Sequence, residues 1–154
     1  MKKVLFVCWG NICRSPSAEA VFNSVVKKAG IEKLFEIDSA GTIAAHSGEP
    51  ADARMRKHAA TRGYSLDSVS RKFNPQTDFD KFDYIIAMDD KNYNDLARLA
   101  RNSNDVLKIS KMTDYSLALK YTEVPDPYYG GAQGFELVLD LLEDACAGLL
   151  KQIS

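Results

Sequence analysis

The sequence predicts an α/β protein in three layers, with helices on both faces of one four-stranded parallel sheet. Short apolar runs rich in β-forming residues alternate with longer segments of helical apolar spacing, as parallel strands and their crossover helices require. The first run, residues 3–7 (KVLFV), has the nearly continuous apolar character of a strand buried on both faces. With 154 residues the chain is long enough for one hydrophobic core, so residues 1–154 are expected to form a single domain.

Four runs are short enough and apolar enough to be strands. They are residues 3–7, 34–39, 84–88 and 106–109. Ligands of parallel sheets bind beyond the carboxyl ends of the strands. We therefore expect the loops after the first three strands to meet at one edge of the sheet and to carry the functional residues.

The helices are predicted from apolar residues that recur at three- and four-residue spacing. The first follows the first strand, where Pro16 suits the first helical position, Ser15 suits the N-cap and Gly30 suits the residue that ends the helix. Further helices are expected over residues 52–62, 92–100 and 135–149.

The loop between the first strand and the first helix contains a cysteine and an arginine separated by five residues. Backbone N–H groups and the positive end of the helix point to one spot in such a loop, which makes it an anion site. These positive charges favour the thiolate form of Cys8, which is the nucleophilic form. Arg14 can hold two oxygens of a phosphate with its planar guanidinium.

Three further residues of the loop suit the same task. Gly10 lets the backbone turn and approach a ligand closely. Asn11 tolerates a left-handed backbone conformation, and its amide can tie the loop together. Ser15 can donate a hydrogen bond to the Cys8 sulfur, which would help the thiolate both to form and to depart. A lone cysteine is more often buried and inert, but the combination of these residues favours catalysis.

Residues 7–20 (VCWGNICRSPSAEA) resemble the active-site loop of the low-molecular-weight protein tyrosine phosphatases. Segments similar to the family follow in the same order, at residues 38–42 (DSAGT), 82–89 (FDYIIAMD) and 125–131 (PDPYYGG). The resemblance spans nearly the whole chain, and the first and last segments are the most specific. It implies that the four parallel strands have the spatial order 2-1-3-4.

The resemblance also implies a cysteine-based hydrolysis of phosphate monoesters that needs no metal or other cofactor. Cys8 would form a phosphocysteine, Arg14 would hold the phosphate, and Asp126 would act first as general acid and then as general base. Taken alone, a Pro-Asp-Pro sequence is more often just a turn, so the role of Asp126 depends on the resemblance. The residues implied to bind phosphate or support the loop are Trp9, Gly10, Asn11, Ile12, Cys13, Ser15 and Ser39.

Aromatic residues favour phosphotyrosine as the substrate. Trp9, Tyr128 and Tyr129 are candidates for the walls of a cleft that accepts a flat phenyl phosphate. The expected partners are a phosphotyrosine protein or another aryl phosphate, with phosphate, sulfate or vanadate as simple ligands of the loop. A net charge of −1 gives no bias toward nucleic acid, and no apolar run approaches the roughly 20 residues of a membrane span. Only three cysteines are present, which fits a reducing cytoplasm.

Three other functions remain open on this fold: a protein arginine phosphatase, an arsenate reductase and a catalytically silent phosphotyrosine-binding module. Arginine phosphatases related to the family carry threonine at the position of Ile12 and usually lack the tyrosine pair. Thioredoxin-coupled arsenate reductases need two further redox cysteines in the middle of the chain, where this sequence has none. The silent module is disfavoured because all of the catalytic groups are present.

Two positions depart from the family pattern. Ala45 stands where a tryptophan is common, and Trp9 is expected to rebuild that part of the cleft wall. Ser68 stands where a histidine commonly joins the network that supports the loop. His46 and His58 are expected to be ordinary surface residues.

Cys13 carries a separate hypothesis. It lies five residues from Cys8 across a tight loop, so under peroxide the two can form a disulfide that protects Cys8 from irreversible oxidation. The alternative is a small buried side chain that only packs. The spacing leaves both interpretations open.

Overall fold

The computed structural model describes the backbone of residues 1–154 and every side chain except that of Tyr129. It confirms the α/β fold and the strand order. The strands are all parallel and lie side by side in the order β2-β1-β3-β4. Their bounds are Lys2–Cys8 for β1, Phe35–Gly41 for β2, Tyr84–Ala87 for β3 and Ile109–Lys111 for β4.

The helices connect the strands and cover the sheet. They are α1 (Arg14–Lys28), α2 (Ala53–Thr61), α3 (Asp78–Lys81), α4 (Asp90–Leu99), α5 (Ser103–Leu107) and α6 (Gly131–Ile153). Short 3-10 helices lie at Glu32–Leu34, Met112–Tyr115 and Pro127–Tyr129. Within the described residues, none of the helices combines the length and the apolar character that crossing a bilayer requires.

Side-chain alternation along β1 divides the core into two layers. Phe6 points to one face, where it meets Phe22 of α1 edge-on at 5.9 Å and joins the buried face of α6. Leu5 points to the opposite face and packs with Phe79 of α3 and Leu96 of α4. Since both faces of β1 are fully buried, this strand holds its C-terminal loop at the centre of the carboxyl edge.

The predicted start of the first helix is wrong by two residues. The helix begins at Arg14 with Cys13 at the N-cap, so Pro16 is its third residue instead of its first. Ser15 is the second residue of the helix instead of its N-cap, and its hydroxyl contacts Asn11, Cys8 and the Ala40 carbonyl. The predicted end is confirmed, since Gly30 follows the helix with φ +73°, in the left-handed region that favours glycine.

The fourth strand also differs from its prediction. The apolar run that begins at Val106 was expected to be extended, but its first two residues belong to α5, and β4 begins only at Ile109. Asn102 accepts a hydrogen bond from the Asp105 backbone N–H at 3.0 Å and thereby caps a short helix. Leu107 is 83% exposed, so its apolar character does not mark a buried strand position.

Candidate active site

A pocket of about 240 Å³ lies beyond the carboxyl end of β1. Its walls come from the loop between β1 and α1, from the loop after β2 and from the segment before α6. The lining residues are Cys8, Trp9, Gly10, Ile12, Cys13, Arg14, His46, Asp126 and Tyr128. The three predicted catalytic residues therefore meet in one pocket, although Asp126 is more than a hundred residues away in sequence.

Cys8 is the last residue of β1 and is almost completely buried. Its Sγ lies 3.0 Å from the Ser15 hydroxyl. The N-terminus of α1 begins at Arg14, close behind the sulfur, so the first-turn N–H groups provide partial positive charge on that side. This arrangement agrees with the predicted contact between Ser15 and the Cys8 sulfur.

Arg14 is buried with only 3% of its surface exposed, and its partners were not foreseen. Its NH1 donates to Asp89 Oδ2 at 2.6 Å and to the Val124 carbonyl at 3.1 Å. Burial alone would lower the pKa of the guanidinium, but the neighbouring charges of Cys8, Asp89 and Asp126 raise it. Arg14 is thus a fixed cation whose orientation is set from outside its own loop.

Asn11 holds the loop in shape, as the sequence predicts. Its φ of +58° places it in the left-handed region. Its Oδ1 accepts from the Arg71 backbone N–H at 3.0 Å, and its Nδ2 donates to Ser15 Oγ at 2.7 Å and to Ser39 Oγ at 3.0 Å. Because a backbone N–H can only donate, the contact with Arg71 settles which end of the amide faces Ser15. The Ser15 oxygen accepts from Asn11, so the Ser15 proton can be donated to the Cys8 sulfur at 3.0 Å, with the Ala40 carbonyl at 3.4 Å as the other acceptor.

Glu19 completes this network on the side where the family's histidine is replaced by Ser68. Ser39 Oγ donates to Glu19 Oε1 at 2.6 Å, and Ser68 lies near the same carboxylate. Burial raises the pKa of Glu19, and the contacts with the two serines oppose that shift. The network is therefore intact without the histidine, and sequence analysis did not identify Glu19 because it acts only through another side chain.

We predict that Asn11→Ala lowers the free energy of unfolding by about 2–4 kcal/mol, because it leaves buried partners unsatisfied in a strained turn. Asn11→Gly is expected to recover about 1 kcal/mol of that loss, since glycine adopts the positive φ without strain. Urea denaturation measures both, with Asn104→Ala at an exposed position as the control. Equal stabilities for the Asn11→Ala and Asn104→Ala variants would contradict the role given to Asn11.

Asp126 lies opposite the cysteine loop in the segment 125–131, which we call the acid loop. Its Oδ2 is 3.6 Å from Arg14 NH2, and its Oδ1 accepts from the Tyr128 backbone N–H at 3.0 Å. The side chain is partly exposed, so it can reach solvent as well as the pocket. Pro127 begins a 3-10 helix directly after it and limits the freedom of the backbone there.

The walls of the pocket agree in part with the prediction. Trp9 and Tyr128 line it and are both more than one-third exposed, so each offers a ring face or edge to a ligand. The Trp9 ring also lies under Lys91, whose Nζ is 5.4 Å from the ring centre. The predicted contribution of Tyr129 concerns a side chain outside the described residues.

His46 was expected to be an ordinary surface residue, but it lines the pocket. Its Nδ1 lies 2.7 Å from Glu49 Oε2, and its ring lies against Gly10. A Cβ at Gly10 would come within 3.0 Å of the His46 ring. Gly10 therefore makes room for His46, while its backbone does not require a positive φ.

Cys13 lies at the N-cap of α1 and is buried. Burial raises its pKa far above the ordinary range of a thiol, and the negative charges of Asp52 and Cys8 add to the effect. Cys8 and Cys13 are both free thiols in this structure, and the disulfide between them stays a prediction. Among the described side chains, no group of three or more histidine, cysteine or acidic residues is placed to hold a metal ion.

Comparison with known proteins gives consistent matches over the full length of the chain. The family model for low molecular weight phosphotyrosine protein phosphatase matches residues 3–154. A low molecular weight protein-tyrosine-phosphatase of Streptomyces coelicolor is 45% identical over 153 residues, which covers 98% of this chain and 93% of the relative.

Solved structures show the same likeness. A protein tyrosine phosphatase from Entamoeba histolytica, solved with Hepes in its active site, has a TM-score of 0.96 and 49% identity over 99% of this chain and 97% of its own. A Drosophila arginine phosphatase has a TM-score of 0.90 with 32% identity, over 99% and 97% of the two chains. The fold, the loop and the full-length matches agree, and the chain belongs to the low molecular weight phosphotyrosine protein phosphatase family.

Proposed function

We propose that this protein hydrolyses phosphotyrosine, with Cys8 as the nucleophile and Asp126 as the general acid and base. The observation that carries the proposal is the convergence of Cys8, Arg14 and Asp126 on one pocket. Arg14 uses NH1 for its hydrogen bonds to Asp89 and Val124, so Nε and NH2 can bind two oxygens of a phosphate, with Asp126 Oδ2 3.6 Å from NH2. The Hepes bound by the Entamoeba relative carries a sulfonate, whose charge and oxygens are similar to those of a phosphate.

In the first step the Cys8 thiolate attacks phosphorus. The P–S bond forms as the bond from phosphorus to the tyrosyl oxygen breaks, and Asp126 gives its proton to the departing oxygen. Arg14 and the N–H groups of the loop bind the three equatorial oxygens, where negative charge is spread in the transition state. The products of this step are the free tyrosine side chain and a phosphocysteine.

In the second step water attacks the phosphocysteine. Asp126, now a carboxylate, accepts a proton from the water as the new P–O bond forms and the P–S bond breaks. The Ser15 hydroxyl, 3.0 Å from the sulfur, donates a hydrogen bond to the departing thiolate and so stabilises it. Inorganic phosphate leaves, and the enzyme returns to its starting state.

The pocket favours an aryl substrate because Trp9 and Tyr128 stand at its mouth. A phenyl ring attached to the bound phosphate can pack against these rings. Ile12 provides an apolar side chain in the same pocket, which suits a phenyl group better than a guanidinium. This observation favours the proposal over an arginine phosphatase, a class that the Drosophila structure represents on a similar fold.

We predict that kcat/KM for phosphotyrosine exceeds that for phosphoarginine by at least about 100-fold, because the apolar Ile12 side chain suits a phenyl group better than a guanidinium. Initial rates with both substrates, with phosphoserine, and for thioredoxin-coupled reduction of arsenate measure this preference. All assays contain EDTA. A preference for phosphoarginine or turnover of arsenate would replace the proposal by the corresponding alternative. Binding of phosphotyrosine without turnover would indicate a silent binding module.

A further inference from the structure

Arg54, near the start of α2, lies beside the pocket and contacts one of its walls. Its guanidinium carbon is 5.1 Å from the ring centre of Tyr128 and 5.1 Å from that of Phe135. Phe135 is buried in α6, whereas Tyr128 is partly exposed and lines the pocket. Arg54 thus joins a partly exposed aromatic side chain of the acid loop to a buried one of the core.

The Arg54 guanidinium is half exposed, and Asp52 orients it. Its Nε donates to Asp52 Oδ1 at 3.2 Å and its NH2 donates to Asp52 Oδ2 at 3.0 Å, so the fork binds the carboxylate through both oxygens. Asp52 also accepts from the backbone N–H groups of Arg54 and Met55 and caps α2. Its hydrogen bonds to Arg54 hold the pKa of Asp52 below its usual range despite partial burial.

Asp52 connects this pair to the cysteine loop. Its backbone N–H donates to the Ile12 carbonyl at 2.8 Å. A continuous series of contacts therefore runs from Ile12 through Asp52 and Arg54 to the Tyr128 ring. It passes beside the pocket and does not include Cys8, Arg14 or the Asp126 carboxylate.

We infer that Arg54 is a positioning residue for substrate specificity. It holds the Tyr128 ring at a set distance from the loop between Cys8 and Arg14, which we call the cradle because it is proposed to bind the phosphate. A planar cation over the ring face restricts the orientation of the ring, and the same ring lines the pocket. The aryl group of a substrate then meets a wall that is already ordered, so the Tyr128 side chain loses less entropy on binding. This inference rests on the proposed function, because it assumes that Tyr128 contacts the aryl group of the substrate.

Two ligands distinguish the contribution of the Tyr128 ring, which forms the wall, from the contribution of the cradle. Inorganic phosphate reports the cradle alone, and phenylphosphonate reports the cradle and the wall together. Trp9 is the single tryptophan of the chain and lies in the pocket, so its fluorescence measures binding of both ligands without turnover. We expect Arg54→Ala to weaken phenylphosphonate about fivefold and phosphate less than twofold, in line with the strength of a partly exposed cation–π contact.

Controls test whether Arg54 acts through Tyr128. Arg98→Ala removes an exposed arginine that pairs with Asp95 in α4, and it should change neither ligand. Arg54→Lys keeps a cation but cannot bind Asp52 through two donors in a fixed plane, so an intermediate loss is expected. In the Tyr128→Ala background, Arg54→Ala should cause no further loss of phenylphosphonate binding, because its route to the ligand is already removed.

Turnover gives a second readout. With p-nitrophenyl phosphate, Arg54→Ala should raise KM about fivefold and leave kcat within a factor of two. Equal weakening of phosphate and phenylphosphonate binding would overturn the inference, because it would show a general effect on the loop. Full additivity of Arg54→Ala with Tyr128→Ala would also overturn it, because the two residues would then act independently. No change with either ligand would overturn it as well. Absence of turnover in the unmodified protein would contradict the proposed function, while the two-ligand comparison would still test Arg54.

Discussion

Replacing Cys8 with serine is expected to reduce the turnover of phosphotyrosine by at least about 10⁴-fold, because removal of a catalytic nucleophile leaves only binding and electrostatic stabilisation. The change exchanges one sulfur for one oxygen in a nearly fully buried position. A serine hydroxyl is far less acidic than a thiol, and no base that would take its proton is bonded to residue 8 among the described contacts. The measurement is kcat/KM with phosphotyrosine and with p-nitrophenyl phosphate.

The serine variant should still bind phosphate. Arg14 keeps its hydrogen bonds to Asp89 and Val124, and the loop keeps its Asn11 network, since none of these contacts uses the sulfur. Titration of Trp9 fluorescence with phosphate therefore distinguishes a chemical defect from a folding defect. Loss of phosphate binding in the variant would mean that the loop has collapsed.

The control for this experiment is Cys146→Ala. Cys146 is a buried thiol in α6 whose Sγ lies 4.0 Å from the Ala18 carbonyl, so it differs from Cys8 in having no place in the pocket. We expect this variant to keep its turnover even where some stability is lost through the smaller side chain.

The phosphocysteine can be observed directly. When turnover of the unmodified protein is stopped with acid, mass spectrometry should detect phosphate on Cys8. Turnover of the Cys8→Ser variant above a tenth of the normal rate would refute the covalent mechanism.

The second large effect is expected for Asp126→Asn. Asparagine keeps the shape of the side chain and can still accept from the Tyr128 backbone N–H, but it has no proton to give to a leaving phenolate. We expect kcat/KM for phosphotyrosine to fall by about 10²–10³-fold, as for other general acids.

The loss should depend on the leaving group. The tyrosine phenol has a pKa near 10 and needs a proton as it departs, whereas p-nitrophenol is much more acidic and leaves readily as the anion. Hence kcat/KM for p-nitrophenyl phosphate should fall at least about tenfold less than that for phosphotyrosine. Asp95→Asn, at a residue whose carboxylate pairs only with exposed Arg98 among the described contacts, serves as the control. An equal loss with both substrates would argue for a role in binding or loop structure instead of proton transfer.

The cysteine loop illustrates how far local patterns reach. Residues that lie within one strand–loop–helix unit were predicted together with most of their roles, including the left-handed Asn11 and the contact of Ser15 with Cys8. The predicted N-cap failed because a serine hydroxyl has several possible partners, and the pattern does not say which one it chooses. In the folded chain the hydroxyl binds Asn11 and Cys8, and the helix begins earlier than the proline suggests.

The fourth strand shows a case in which the local pattern did not predict the secondary structure. A short apolar run is compatible with a helix or a strand, and neighbouring polar residues decide between them. Here Asn102 and the ion pair of Arg101 with Asp105 stabilise a short helix, so that the run is split between α5 and β4. The strand order was nevertheless predicted correctly, because it followed from the family resemblance and did not depend on the bounds of the last strand.

Local sequence patterns were enough to predict the chemical groups and the unit that carries them: a buried strand, a loop from Cys8 to Arg14 and a helix with its positive end at the loop. The distant side chains that support this unit became visible in the folded chain. Asp89 and Val124 orient Arg14, Glu19 accepts a hydrogen bond from Ser39, and Arg54 reaches Tyr128. These contacts join segments far apart in sequence, which are brought together by the register of the parallel strands and by the packing of helices on the sheet.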